Sequence, residues 1–144
     1  MDYELTNSFS FLNSIVANAL DKHFAKNLQQ AELPLTPDQF KILIWLWQKD
    51  GKSQQEIACL ARRDRASITR ILDTLERKQL IVRKKVENDR RIKSVHLTEQ
   101  AHALKDRAYK VILQTLDEAL HGIKPSDLAI CRSILKKVIA NLSC

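Results

Sequence analysis

Residues 64–78 read Asp64-Arg65-Ala66-Ser67-Ile68-Thr69-Arg70-Ile71-Leu72-Asp73-Thr74-Leu75-Glu76-Arg77-Lys78. Asp64 is a residue type that caps helix N-termini, and Ile68, Ile71, Leu72 and Leu75 fall at the i, i+3, i+4, i+7 spacing of one helical face. The spacing predicts a helix over 64–79 that buries this stripe and turns Thr69, Arg70, Asp73 and Arg77 outward.

Immediately upstream, Ser53-Gln54-Gln55-Glu56 is a capping box. It opens a short helix with Ile57, Leu60 and Ala61 facing inward, and Arg62-Arg63 joins it to Asp64. Two helices joined by a tight turn, the second outwardly basic, fit the helix-turn-helix plan in which the second helix lies in the major groove. Downstream the period changes to that of an extended ribbon: 80–86, a polar turn Glu87-Asn88-Asp89-Arg90, and 91–97 with several β-branched residues. A two-stranded hairpin in this place is a wing.

Thr36-Pro37-Asp38-Gln39 is another capping box, with proline at the first helical position, and starts a helix carrying Phe40, Leu43, Ile44 and Trp47 that ends near Gly51. Long amphipathic helices flank this centre. The first runs from about Thr6 to Gln30 (Phe9, Leu12, Val16, Ala19, Leu20, Phe24, Leu28). The fifth is capped by Thr98 and stops at Gly122, and the sixth starts at Pro125 with Leu128, Cys131, Leu135, Val138 and Leu142 on its stripe. The expected fold is mainly α, an α+β winged helix of six helices with a two-stranded wing and dimerisation helices at both termini. Within one intertwined domain, 1–34 and 98–144 are expected to dimerise and 35–97 to bind DNA. The homodimer follows from terminal apolar stripes longer than one small winged helix can cover.

Charge agrees with the plan. Of 24 Lys and Arg in the 144 residues, twelve lie in 62–96 with only five acidic residues, leaving twelve of each sign elsewhere. The net +7 of the chain therefore belongs to one quarter of it, the footprint of a surface that meets phosphates. The opposite ends of this chemistry are weaker. No Gly-rich phosphate loop, nucleophile motif or His-rich metal signature is present, so neither an enzyme nor a cofactor is expected. Glu99, His102 and Asp106, and again Asp117, Glu118 and His121, share helical faces, but exposed helices collect such charges routinely. Cys59, Cys131 and Cys144 are odd in number and widely spaced, which fits a reducing cytosol better than a disulfide framework. Cys59 and Cys131 are expected in the core. No apolar run approaches the roughly 20 residues of a bilayer crossing, and Asp2 and Glu4 stand where a signal peptide would be basic. A cytoplasmic protein away from membranes is expected.

Leu35-Thr36-Pro37-Asp38-Gln39-Phe40, the stretch 64–78, Asn88-Asp89-Arg90-Arg91 and Leu97-Thr98-Glu99, in this order and spacing, resemble the MarR family over about residues 35–105. Gln79 and Ala101 depart from the resemblance, each standing where the family usually has glycine. The resemblance implies that Arg65, Ala66, Ser67, Thr69 and Arg70 begin the recognition helix and face base edges. It also implies that Asp89 and Arg91 are the wing's Asp-x-Arg, the arginine entering the minor groove. Elementary chemistry concurs: Arg70 can span guanine O6 and N7, and an arginine is favoured in a narrow minor groove. Lys84, Lys85 and Lys93 would add affinity without sequence information, and Arg62, Arg63 and Arg90 complete the candidate double-stranded DNA surface. Members of the family often bind small phenolic or lipophilic effectors, for which Phe40, Trp45 and Trp47 are the candidate pocket, although plain core packing accounts for each singly. The implied function is a ligand-responsive repressor on a palindromic operator. The competing reading is a winged-helix protein-interaction module that offers its basic face to an acidic partner.

Overall fold

A computed structural model describes residues 4–143; Asp2 and Cys144 lie outside the described residues. A 3-10 turn at Leu5–Asn7 precedes six helices: α1 Phe9–Gln30, α2 Pro37–Gln48, α3 Gln54–Ala61, α4 Arg65–Arg77, α5 Glu99–Ala119 and α6 Pro125–Leu142. Strands β1 Lys52–Ser53, β2 Ile81–Val86 and β3 Asp89–Leu97 form one antiparallel sheet in the order β1-β3-β2. The winged helix is thus present with one strand more than the sequence suggests. Lys52 and Ser53 pair with Val95 and Ser94, so the residue that caps α3 also joins the wing's base.

Helix starts follow local chemistry. Thr36 and Ser53 form complete capping boxes, and Ser8, Asp64 and Thr98 each accept a backbone N–H with their side chain. Three helix ends share a different device. At the ends of α1, α3 and α4, Glu32, Arg62 and Gln79 adopt the left-handed conformation, with φ of 55°, 52° and 61°. Each sits in paired bonds of the Schellman type, as where Leu80 N–H donates to Leu75 O at 3.0 Å and Gln79 N–H to Glu76 O at 2.9 Å. Gln79 therefore keeps the turn geometry that glycine would supply. A residue with a Cβ is strained there by about 1–2 kcal/mol, part of which glycine's greater unfolded-state freedom returns. Gln79→Gly is accordingly expected to raise the free energy of unfolding by about 0.5–1 kcal/mol, measured by denaturant titration at one fixed protein concentration. An unchanged or lowered midpoint would count against this reading of the turn. At the other departure, Ala101 is fully buried and its carbonyl accepts the Trp47 indole N–H at 3.2 Å.

The core sits in the winged-helix body. Leu43, Leu46, Ile57, Ile68, Leu72, Leu75, Leu80, Ile81 and Val95 are all essentially inaccessible, and Phe24, Leu28, Ala108 and Val111 bring the end of α1 and the middle of α5 onto them. The rest of the terminal helices is apolar without being covered. Phe9, Leu12, Ile15 and Val16 of α1, Leu113 and Leu116 of α5, and Ile130, Ile134, Ile139 and Leu142 of α6 are exposed, and no described residue of α6 is buried. Cys59 and Cys131 are exposed rather than in the core. The eight-residue α3 turns only Ile57 and Ala58 inward, leaving Cys59 outside and Leu60 40% exposed, and α6 buries no described side chain, so Cys131 stays outside too. No described helix is long and apolar enough to cross a membrane.

Candidate nucleic-acid interface

Helix α4 is held from below by Ile68, Leu72 and Leu75, so its opposite face is fixed outward by the same spacing that fixes the core. Arg65, Ala66 and Arg70 are exposed on that face, with Ser67 and Thr69 half-buried at its flanks. The N-terminus of the helix is tightly capped. Asp64 Oδ1 accepts the Ser67 N–H at 2.7 Å and Oδ2 accepts the Ser67 hydroxyl at 3.1 Å. These bonds, with the Arg70 charge nearby, hold the Asp64 carboxyl below the usual carboxylate range. Ser67 Oγ in turn accepts from the Arg70 guanidinium at 3.3 Å. Ser67 thus orients Arg70 as well as closing the cap.

The wing lies against α4 through a half-buried cation. Arg83 donates to Asp73 at 2.6 Å and to Glu76 at 3.1 Å, with its side chain only 15% exposed. Its hydrogen bond to Glu76 raises the Arg83 pKa, and that bond lowers the Glu76 pKa. Because strand side chains alternate in direction, Lys85 and its cross-strand neighbour Lys93 share the helix-facing side with Arg83, while Lys84 points to the other side with Val82, Ser94 and His96. The hairpin turn is two residues, Glu87-Asn88, rather than four, and the ladder slips between Lys85–Lys93 and Val86–Asp89, leaving three unmatched residues on β3. Those residues are Arg90, Arg91 and Ile92. Asp89 Oδ1 accepts the Arg91 backbone N–H at 2.9 Å, so the aspartate shapes the turn that projects Arg91 rather than pairing with its guanidinium.

A cleft of about 350 Å³ results between the start of α3, α4 and the wing, bringing Arg65, Thr69, Arg91 and Lys93 together over Ile68. Ser53, Gln54 and Gln55 form its third wall; sequence reading missed them as site residues, although their capping box was the available signal. Arg70 and Ser67 face a second groove, on the α2 side of α4. The candidate cations divide into two sets. Arg63 is engaged by Asp38, and Arg62 reaches the Ser143 hydroxyl at 3.4 Å. Arg65, Lys84, Lys85, Arg90, Arg91 and Lys93 make no ion pair among the described residues. Like charges directly across a ladder, as at Lys85 and Lys93, repel one another, and a bound anion would relieve that repulsion.

Other candidates resolve differently. Phe40 and Trp47 are buried, with ring centroids 6.0 Å apart, and pack edge-on with Phe24 and Tyr109 where α1, α2 and α5 meet. Trp45 is half-buried, five residues from Phe40 and so on a different face of α2; the three do not line one cavity. Glu118 is bonded to Gln114, His23 and Asn27, which pull its carboxyl down to about 2. No group of three or more His, Cys, Asp or Glu among the described residues is placed to hold a metal ion.

A helix pair bearing an outward basic face, continued by a cationic hairpin, defines a winged helix-turn-helix protein. The MarR family profile matches residues 35–93, which contain α2, α3, α4 and most of the wing. The chain is 27% identical over 123 residues to the HTH-type transcriptional regulator MhqR of Bacillus subtilis, covering 85% of this chain and 83% of that one. Among solved structures it is similar to the transcriptional repressor CouR bound to a 23-mer DNA duplex, with a TM-score of 0.85 and 26% identity over 94% of this chain and 95% of that one. CouR from Rhodococcus jostii bound to p-coumaroyl-CoA superimposes with a TM-score of 0.84 over 99% of both chains at 22% identity. Over residues 35–93 the chain matches the MarR family, and its likeness to MhqR and to DNA-bound CouR supports a DNA-binding transcriptional regulator.

Proposed function

We propose that the protein is a homodimeric repressor that reads an inverted-repeat operator with α4 and clamps the flanking minor groove with the wing. The observation carrying this reading is the arrangement around α4: its Arg65 and Thr69 line a cleft whose far wall supplies Arg91 and Lys93, while the exposed Arg70, held by Ser67, lies on the other side of the same helix. In this reading Arg70 contacts a base edge, and Arg65 and Thr69 lie beside it. Arg91 enters the minor groove, and Lys84, Lys85, Lys93, Arg62 and Arg90 serve phosphates, Arg63 being held by Asp38. In this reading α6 carries the dimer, because none of its described residues is buried and Ile130, Ile134, Ile139 and Leu142 stand exposed on it. We assign residues 1–34 and 98–144 to that dimer and 35–97 to DNA.

Repression would be relieved by a small phenolic or lipophilic molecule; the ligand in the CouR structure, p-coumaroyl-CoA, carries a phenolic acyl group on a charged carrier. Its place would be the edge-on aromatic cluster of Phe24, Phe40, Trp47 and Tyr109, which joins the dimer helices to the DNA-binding body. Such a ligand acts only through different affinities for the DNA-competent and incompetent states. Selection of bound fragments from random duplex DNA tests the whole reading. The expected outcome is an inverted repeat with half-site centres about 10 base pairs apart. Enrichment of a sequence without a dyad, or no enrichment at all, would contradict it; the latter would favour an acidic protein partner.

A further inference from the structure

Two long cationic side chains leave opposite ends of α4 and converge on one turn of α2. At the N-terminal end, Arg63, the residue before the Asp64 cap, donates to both carboxylate oxygens of Asp38 at 2.9 and 3.2 Å. At the C-terminal end, Lys78, the C-cap residue, donates to Gln39 Oε1 at 2.8 Å and to the Pro34 carbonyl at 2.9 Å. Asp38 and Gln39 are consecutive residues of the α2 capping box, and Gln39 is buried while its Oε1 also accepts the Thr36 N–H. Pro34 lies between the buried Leu33 and Leu35 in the link from α1. Asp38, Gln39 and Arg63 line the same groove as Ser67 and Arg70, on the α2 side of α4, whereas Arg65 lies on the wing side.

From this we infer that the first turn of α2 is a bracket that sets the orientation of α4 on DNA, with Lys78 and Asp38 as positioning residues that do not themselves touch the duplex. Two grips at the ends of one helix fix its tilt far better than either alone, because each opposes rotation about the other. A small change of tilt moves the base-reading side chains by distances that matter to bidentate hydrogen bonds, while flexible phosphate contacts accommodate it. The inference rests on the reading of α4 as the base-reading helix.

The test measures binding of the full-length wild type, Lys78→Met, Lys78→Arg and Asp38→Asn to the selected operator and to a random duplex across a salt series, with thermal unfolding in parallel. Lys78→Met is expected to weaken operator binding on the order of tenfold, the scale on which residues along a coupled network act, while random-duplex affinity and the operator salt slope stay as in the wild type. Lys78→Arg, which keeps a donor in reach, should restore most of the loss. Asp38→Asn should act in the same direction with little effect on folding, since its ion pair is at the surface; it carries the test should Lys78→Met fail to fold. Equal weakening on both duplexes with a salt slope lower by about one would make Lys78 a phosphate ligand and overturn the inference. So would a lowered unfolding temperature with operator affinity unchanged. Failure of the underlying reading shows separately, as an Arg70→Ala variant that loses no discrimination.

Discussion

A protein carrying Ile130→Glu and Ile134→Glu together is expected to be a monomer at micromolar concentration and to bind its operator on the order of a thousandfold more weakly, at the level of random DNA. Ile130 and Ile134 lie one turn apart on α6 and are 60% and 49% exposed in the protomer. They stand beside Phe9 of α1 in a shallow groove whose lining is almost wholly apolar. Two-fold symmetry brings every interface substitution in twice, so the pair would bury four carboxylates without partners, each costing several kcal/mol. The winged-helix core, which contains no residue of α6, should survive, and circular dichroism should still report helix. Separate half-sites bind only through their own contacts, and the advantage of joining two readers in one rigid body is lost. Sedimentation showing an intact dimer would remove α6 from the interface. A monomer that kept operator affinity would remove the dimer from the mechanism.

Arg70→Ala is expected to cost about 1–3 kcal/mol on the operator, the worth of one bidentate arginine–guanine contact, and to relax the preferred base at one position of each half-site. Little of that cost should appear as instability. Arg70 is exposed, its only side-chain hydrogen bond among the described residues is to Ser67, and Ser67 remains bonded to Asp64 without it. The loss is thus separable from folding by thermal unfolding, and repeating the random-duplex selection with the variant would show which position became degenerate. A selected sequence identical to that of the wild type would mean that Arg70 reads no base.

The features legible in the sequence are those in which both partners lie within one turn of chain. Thr36–Gln39, Ser53–Glu56, Asp64–Ser67 and Thr98–Ala101 each close over three residues, and all four helix starts stand where the sequence puts them. The recognition helix was legible for the same reason, since its core stripe fixes its outward face. What distance along the chain decides was not legible. Strand β1 is two residues long and exists only because Val95 and Ser94 lie beside it. Arg63 reads as a cation of the DNA surface, yet its acid lies 25 residues away and takes it out, and the acid that ties Arg83 to α4 lies 10 residues away. Cys131 illustrates the limit of periodicity: α6 is apolar on more than one face, so spacing says that it must be covered but not by which chain.

The central claim, that α4 reads sequence while the wing's lysines hold the backbone, is tested most directly by titrating Arg70→Ala and Lys93→Ala against operator and scrambled duplexes across a salt series. The account predicts that Arg70→Ala loses about 1–3 kcal/mol on the operator and much less on the scrambled duplex. It predicts that Lys93→Ala weakens both alike and lowers the salt slope by about one. Equal weakening of both duplexes by Arg70→Ala would contradict the claim and leave residues 62–96 an electrostatic surface only.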